Sequence, residues 1–260
     1  MRKRSSLRIM RSVIYALVLR EMLGRFGRNR LGVVWVLAEP LAHVLGMILV
    51  MSLLRNRALP GFDYPVFMLV GVAPFLLIKN TALRMMEGAS ANKGLFAYRQ
   101  VTLMDTFIAR TIVETLLSAA VFTLILAGML WLGFDIELAR PLEWLGFIAL
   151  GLAFGFSLGG LLAALAYALP EAKLAIRLAF LPLYFLSGVI LPPWHFPPDT
   201  RAIMLWNPFV HLLELIRGAF FPFYPKMQGI SASYVASITL VFAFASLALY
   251  RALRRRMTAL

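Results

Sequence analysis

Glu39 and His43 lie four residues apart inside an apolar run, with Pro40 next to the carboxylate. On a helix that spacing puts a carboxylate and an imidazole on one face. His211 and Glu214, three apart, form a second pair, and His195 stands in the proline-rich stretch LPPWHFPPDT. Such groups could exchange protons, hold a metal or bind a polar ligand. A zinc site takes three or four protein ligands. Each pair offers two, and the chain has three histidines and no cysteine. No metal site is therefore expected. Without cysteine there are also no disulfides or thiolate nucleophiles. The phosphate-cradling pattern GxxxxGK[ST] does not occur, so the chain is not itself a P-loop ATPase. No Ser-His-Asp signature occurs either. An enzyme that modifies a lipid or glycan inside a membrane would have to be built from Glu39 with His43, or from His195, His211 and Glu214. That reading stays open as an alternative.

The elements that must position these groups follow from composition. Of 260 residues, 61% are hydrophobic and 15% charged, with mean hydropathy +0.82. Soluble domains carry about 25% charged residues, so the chain reads as an integral membrane protein. A spanning helix needs about 20 apolar residues. Six stretches qualify: Leu31–Leu54, Tyr64–Leu83, Thr106–Leu132, Leu145–Leu169, Leu174–Leu191 and Ile230–Tyr250. The fifth is short. Lys79 falls near one end of the second, where a lysine can snorkel. Glu39 is the clearest charge inside a span, a costly placement that tends to mark function. A location near the interface or self-satisfaction by His43 would also account for it.

The net charge of +14 would suit nucleic acid, but it has a topological explanation. With the N-terminus inside, 20 of the 26 Lys and Arg fall in segments 1–30, 79–110, 170–178 and 251–260. Such excess marks the cytoplasmic side. Both termini are therefore expected in the cytoplasm, and no nucleic acid partner is expected. In residues 1–30, Arg4, Arg8, Arg11, Ser12 and Tyr15 share one helical face, with Ile9, Val13 and Leu17 opposite. This reads as a cationic helix lying in the headgroup plane, followed by a bend at GRFGRNR. Gly151, Gly155 and Gly159 repeat every four residues, which lets membrane helices approach closely; internal packing is the expected use, with a dimer interface as the alternative.

Two connections stand out. Residues 84–105 mix charges, small residues and the aromatics Phe96 and Tyr98, with a short helix expected from about Arg84 to Asn92 and a break at Gly94. It is either a docking element for a soluble partner or a solvated loop. Residues 191–223 contain LPPWHFPPDT and then Pro208–Phe221, an amphipathic helix too short to cross, with His211, Glu214 and Arg217 or Gly218 along its polar edge. Both flanking spans end on the same side, so this segment must return there. Such a segment enters a membrane only where protein or water satisfies its backbone. Trp131 and Trp144 flank spans as interfacial belt residues. Trp35, Trp194 and Trp206 suit the belt or stacking against sugar rings.

Four stretches in order along the chain carry a resemblance: RFGRNRLGVVWVLAEPLAH, ANKGLFAYRQVTLMDTFIAR, FLPLYFLSGVILPPWHFP and MLWNPFVHLLELIRGAFF. Together they resemble the ABC-2-type polysaccharide exporter permeases, the capsule branch in particular. The resemblance implies an all-α integral membrane protein of six transmembrane helices. Residues 1–30 would be its interfacial helix and bend, 31–260 the transmembrane domain, 84–105 the coupling region and 191–223 the periplasmic re-entrant segment. It implies a homodimer in the bacterial inner membrane, moving capsular polysaccharide on a lipid terminus, with O-antigen or teichoic acid as alternative cargo. The chain itself would not be an enzyme and would bind no cofactor. ATP and Mg would belong to a cytoplasmic ATPase dimer, and a periplasmic co-polymerase and outer-membrane exporter would complete the path. Carried onto this sequence, Glu87, Gly88, Asn92, Gly94, Phe96 and Tyr98 would couple to the ATPase. Arg25, Arg28 and Arg30 would receive an anionic glycolipid headgroup, since arginine pairs bidentately with phosphate; ordinary anchoring explains any one of them equally well. Trp35, Glu39, His43, Tyr184 and Phe185 would line the channel. Trp194, His195, Trp206 and Asn207 would form the periplasmic gate.

Overall fold

The computed structural model describes residues 6–26, 32–54, 63–91, 93–98 and 100–257, and their secondary structure is helical. In chain order the elements are α1 (Ser6–Phe26), α2 (Gly32–Leu54), α3 (Tyr64–Met86), α4 (Gly88–Ala91), a 3-10 turn (Lys93–Ala97), α5 (Leu103–Trp131), α6 (Pro141–Ala168), α7 (Ala172–Leu186), a 3-10 turn (Pro193–His195), α8 (Pro198–Met204), α9 (Pro208–Phe220) and α10 (Ala232–Met257). Arg4, Arg28, Arg30 and Asn92 lie outside the described residues.

Local sequence sets these boundaries. Thr102 and Asp105 cap α5 reciprocally: each side chain bonds the other residue's backbone N–H, at 2.9 and 3.2 Å. Two orphan donors are thereby satisfied. Pro141 and Pro208 open α6 and α9 at positions where no intrahelical N–H is needed. Asn207 caps α9 by accepting from the Phe209 N–H at 3.0 Å. The apolar run expected as Leu174–Leu191 ends its helix at Leu186. Gly188 then takes φ +72°, a left-handed conformation that glycine adopts without steric cost.

Among the described residues four helices, α3, α5, α6 and Ala232–Leu253 of α10, are long and apolar enough to cross a membrane. The centre is α3, with 72% of its most apolar window buried, against 11% for α10. Phe67, Phe75, Leu69 and Ile78 of α3 pack in one cluster with Phe154 of α6 and Phe209, Leu212 and Ile216 of α9. The expected use of the glycine series is seen at the α3–α6 contact. A methyl group at Gly155 would meet the Ile78 carbonyl oxygen at 3.0 Å, and one at Gly159 would meet Met85 at 2.9 Å. Removing Cβ is what lets two backbones come this close.

The two ends of the bundle differ. At one end Tyr64 bonds the Ile190 carbonyl at 3.3 Å, and Ala139 and Arg140 bond the last carbonyls of α9 at 2.9 and 3.0 Å. At the other, Met85, Leu103, Phe107 and Ala163 form a small cluster covered by Phe96, Tyr250 and Leu253. α1 packs along α5, with Leu17 buried.

Candidate functional site

α1, α2, α3 and α5 line an open-sided cavity of about 540 Å³. Bulk water occupies about 30 Å³ per molecule, so this is far more than a packing void. Each helix contributes a face at three- and four-residue spacing. Pro40, His43 and Val44 come from α2, and Glu114, Leu117, Ser118 and Val121 from α5. From α3 come Leu76, Asn80 and Arg84, with Lys79 beside them; Arg25 arrives from the end of α1. At 1.5 Å per residue, Lys79 sits about 10 Å from the Met86 end of α3, and Glu114 about 16 Å from the start of α5.

One wall is an ion network. Glu114 Oε1 receives Arg25 at 2.5 Å and Arg84 at 3.2 Å. Glu21 lies 3.8 Å from Arg25 and 3.4 Å from Arg110. Arg110 also donates to the Arg84 carbonyl at 2.5 Å. Glu114 and Arg110 are nearly buried, at 6% and 8% side-chain exposure. Charges so removed from water persist only when paired and hydrogen-bonded. Arg25 is thus held by two carboxylates, and the network fastens α1 to α5. Three guanidiniums face two carboxylates here, and Lys79 adds a further cation to the same cavity.

A second polar cluster lies at the opposite end, on α9, a helix buried on its polar edge as well as its apolar face. His211, Glu214 and Arg217, the polar edge of that helix, are 2%, 5% and 0% exposed. Arg217 donates to the Gly188 and Val189 carbonyls at 2.6 Å each, rests 3.7 Å over the Phe67 ring and lies 3.7 Å from Glu214. Gly71 of α3 leaves the room: a methyl there would overlap the guanidinium. Tyr224 donates to Glu214 at 2.8 Å. Burial, and then the neighbouring Glu214, push the Tyr224 phenol well above its usual range, so it remains a donor. His211 bonds the Leu205 carbonyl at 2.8 Å and receives the Ser231 N–H at 3.0 Å. The edge faces inward because the end of α7 leaves carbonyls that need donors.

The remaining sequence candidates are distributed as follows. Trp35 and Glu39 belong to α2, with side chains outside the described set; His43 is exposed on the cavity wall. Tyr184 is buried and packs edge-on against Phe75 at 5.1 Å, while its neighbour Phe185 is 54% exposed. Glu87 caps α3 and pairs with Arg177 of α7. Gly88 opens α4 against Phe107, where a methyl would come within 2.9 Å. Gly94 has open space around it, Phe96 packs on the small cluster, and Tyr98 is 67% exposed. Trp194 stacks edge-on to Tyr224 at 5.0 Å, and the adjacent His195 is exposed. Trp206 is 81% exposed. Besides capping α9, Asn207 donates to Ser187 Oγ at 3.0 Å, which ties α9 to the end of α7. Lys79 and Arg217 escape sequence reasoning. Hydropathy reads the first as a snorkelling end residue, and periodicity places the second on a polar edge without naming its partners.

Comparison with known proteins supplies what geometry alone does not. Residues 12–221 match the ABC-2 type transporter family. The chain is 35% identical over 248 residues to the polysialic acid transport protein KpsM of Escherichia coli, covering 95% of this chain and 96% of that protein. It is 29% identical over 218 residues to the capsule polysaccharide export inner-membrane protein CtrC of Neisseria meningitidis serogroup B, covering 83% and 82%. It is 27% identical over 220 residues to the capsule polysaccharide export inner-membrane protein BexB of Haemophilus influenzae, covering 84% and 82%.

Proposed function

The chain belongs to the ABC-2 type transporter family, and from that premise we propose that it is the membrane subunit of an exporter of capsular polysaccharide across a bacterial inner membrane. The observation that carries this reading is the colinear likeness to a polysialic acid transporter over nearly the whole chain. Its bundle has the helices such a role needs, four of them, among the described residues, long and apolar enough to cross. α2 and α7 are taken as two further crossings, which makes six. The α8–α9 segment then folds back at the outer surface as the re-entrant pair.

In this arrangement both termini lie in the cytoplasm, and α1 rides in the headgroup plane, fastened by Glu21 and Arg25. A second copy of the chain completes the pathway. A cytoplasmic ATPase dimer binds ATP and Mg and docks at residues 84–105. A periplasmic co-polymerase and an outer-membrane exporter take the polymer onward. The coupling role of α4 is supported by the Glu87–Arg177 pair, which links the docking region to the start of α7. Trp194, His195, Trp206 and Asn207 stand where α7 gives way to α8 and α9, the place for an outer gate. The fold needs no catalytic residue for any of this: ATP turnover in the partner drives alternation of the bundle.

Deleting the chain from its own bacterium tests the reading. Polysaccharide should vanish from the cell surface and polymer should accumulate inside, with both effects reversed by a restored copy. Unchanged surface polysaccharide in the deletion strain would overturn it.

A further inference from the structure

We propose that the cavity between α1, α2, α3 and α5 is a binding site for a phosphate ester, with Lys79 as its cationic anchor. In the cavity wall, Arg25 is held by Glu21 and Glu114, and Arg84 shares Glu114 with it. Lys79 has no hydrogen-bond or ion-pair partner among the described residues, yet it lines the cavity and is only partly exposed. An ammonium withdrawn from water without a counter-charge is costly. Asn80 and Ser118, also on the wall, are likewise without partners among the described residues. An amide, a hydroxyl and an ammonium therefore converge on a space of about 540 Å³ already biased positive by the neighbouring guanidiniums.

The chemistry complementary to that set is a compact oxyanion with several acceptor oxygens. Lysine serves phosphate as a point charge, and hydroxyl and amide donors complete the shell. The site lies about 10 Å from the helix end, a depth that suits a phospholipid headgroup as well as a soluble phosphate ester. The proposal is independent of what the transporter carries, since it concerns binding by the chain alone.

The test uses the purified full chain in phosphatidylcholine nanodiscs, with and without phosphatidylglycerol. Native mass spectrometry counts retained phosphatidylglycerol, and thermal unfolding follows added glycerol 3-phosphate. Lys79→Gln should weaken binding about tenfold, the scale of one charge-assisted hydrogen bond, while Lys79→Arg should restore it. Asn80→Asp, which adds a negative charge to the same wall, should weaken it independently. Without ligand, Lys79→Gln should unfold no lower than the wild type, because no partner is orphaned and an unpaired charge is removed. Binding in the lipid arm alone identifies a headgroup site; binding in the soluble arm alone identifies a free phosphate ester. Either supports the proposal. Equal binding by wild type and Lys79→Gln, or no binding by wild type in either arm, would overturn it. The transport reading is judged separately by surface polysaccharide in the deletion strain.

Discussion

At the scale of single residues, Arg217 makes the sharpest demand. It is fully buried, it closes the last carbonyls of the α7 turn, and it neutralises Glu214. Arg217→Met should lower stability by about 3–5 kcal/mol, because it leaves a buried carboxyl group without its counter-charge and two carbonyls unpaired. The loss is read as a fall in thermal unfolding midpoint of the purified protein. Adding Glu214→Gln should recover part of that loss, since the orphaned charge is then gone. Additive losses in the double variant would mean the two residues act separately. The polar residues of α9 were visible in the sequence at helical spacing, but their orientation was not. Periodicity gives the angle between two faces of a helix and leaves open whether both are covered, as they are in α9. The acceptors that turn Arg217 inward come from Gly188 and Val189, nearly thirty positions away. Arg25 is the converse case. Its position beside the first span was legible, and its partner was not, because Glu114 joins it only once α1 packs on α5.

At the scale of elements, apolar length was legible and close approach was legible through glycine. The helices α3, α5, α6 and α10 start within a few residues of the expected spans, since a continuous apolar run of that length has few other uses. α7 is the exception: the run stays apolar through Leu191 while the helix stops at Leu186. Hydropathy does not register a turn made of apolar residues. The α3–α6 contact is testable in the same terms. Gly155→Val should destabilise the protein by roughly 1–3 kcal/mol or more, because the added carbons meet backbone that cannot yield. Gly146→Ala, with no heavy atom within 4 Å of the new methyl, should be neutral. Equal midpoints for the two variants would remove the close-packing account. At the α7–α9 junction, Asn207→Ala should cost about 1 kcal/mol through the lost cap. At the other end the Glu87–Arg177 pair is partly exposed, so it contributes little to stability. Its value as a link is tested by function. Glu87→Arg should uncouple ATP hydrolysis from polymer export in the reconstituted complex, and Arg177→Glu added to it should restore coupling. Unchanged coupling in Glu87→Arg would assign the pair no mechanical role.

At the scale of the whole molecule, the distribution of apolar surface and of charge must agree on one orientation. α3 is enclosed by protein while α10 leaves most of its apolar surface uncovered, which is how a bundle sits in lipid rather than in water. Exposed apolar side chains such as Leu240, Val241 and Phe244 belong to that uncovered surface. Along the axis, the end carrying α4 and the start of α5 is joined by the Arg-rich end of α10, whereas α8, α9 and the α5–α6 connection form the other end. Lys and Arg gather on the cytoplasmic side of membranes, so the α4 end should face the cytoplasm. The absence of cysteine makes this directly measurable, because every introduced thiol is unique. Tyr98 and Phe223 are 67% and 85% exposed and lie at opposite ends, outside the long helices. In cells with a permeabilised outer membrane, a membrane-impermeant maleimide should label Phe223→Cys and leave Tyr98→Cys untouched until the inner membrane is lysed. The reverse pattern would invert the molecule, place residues 84–105 away from any ATPase, and remove the coupling role assigned to α4. Labelling of both before lysis would mean that the chain does not cross the membrane an odd number of times between the two positions, against the proposed crossings of α5, α6 and α7.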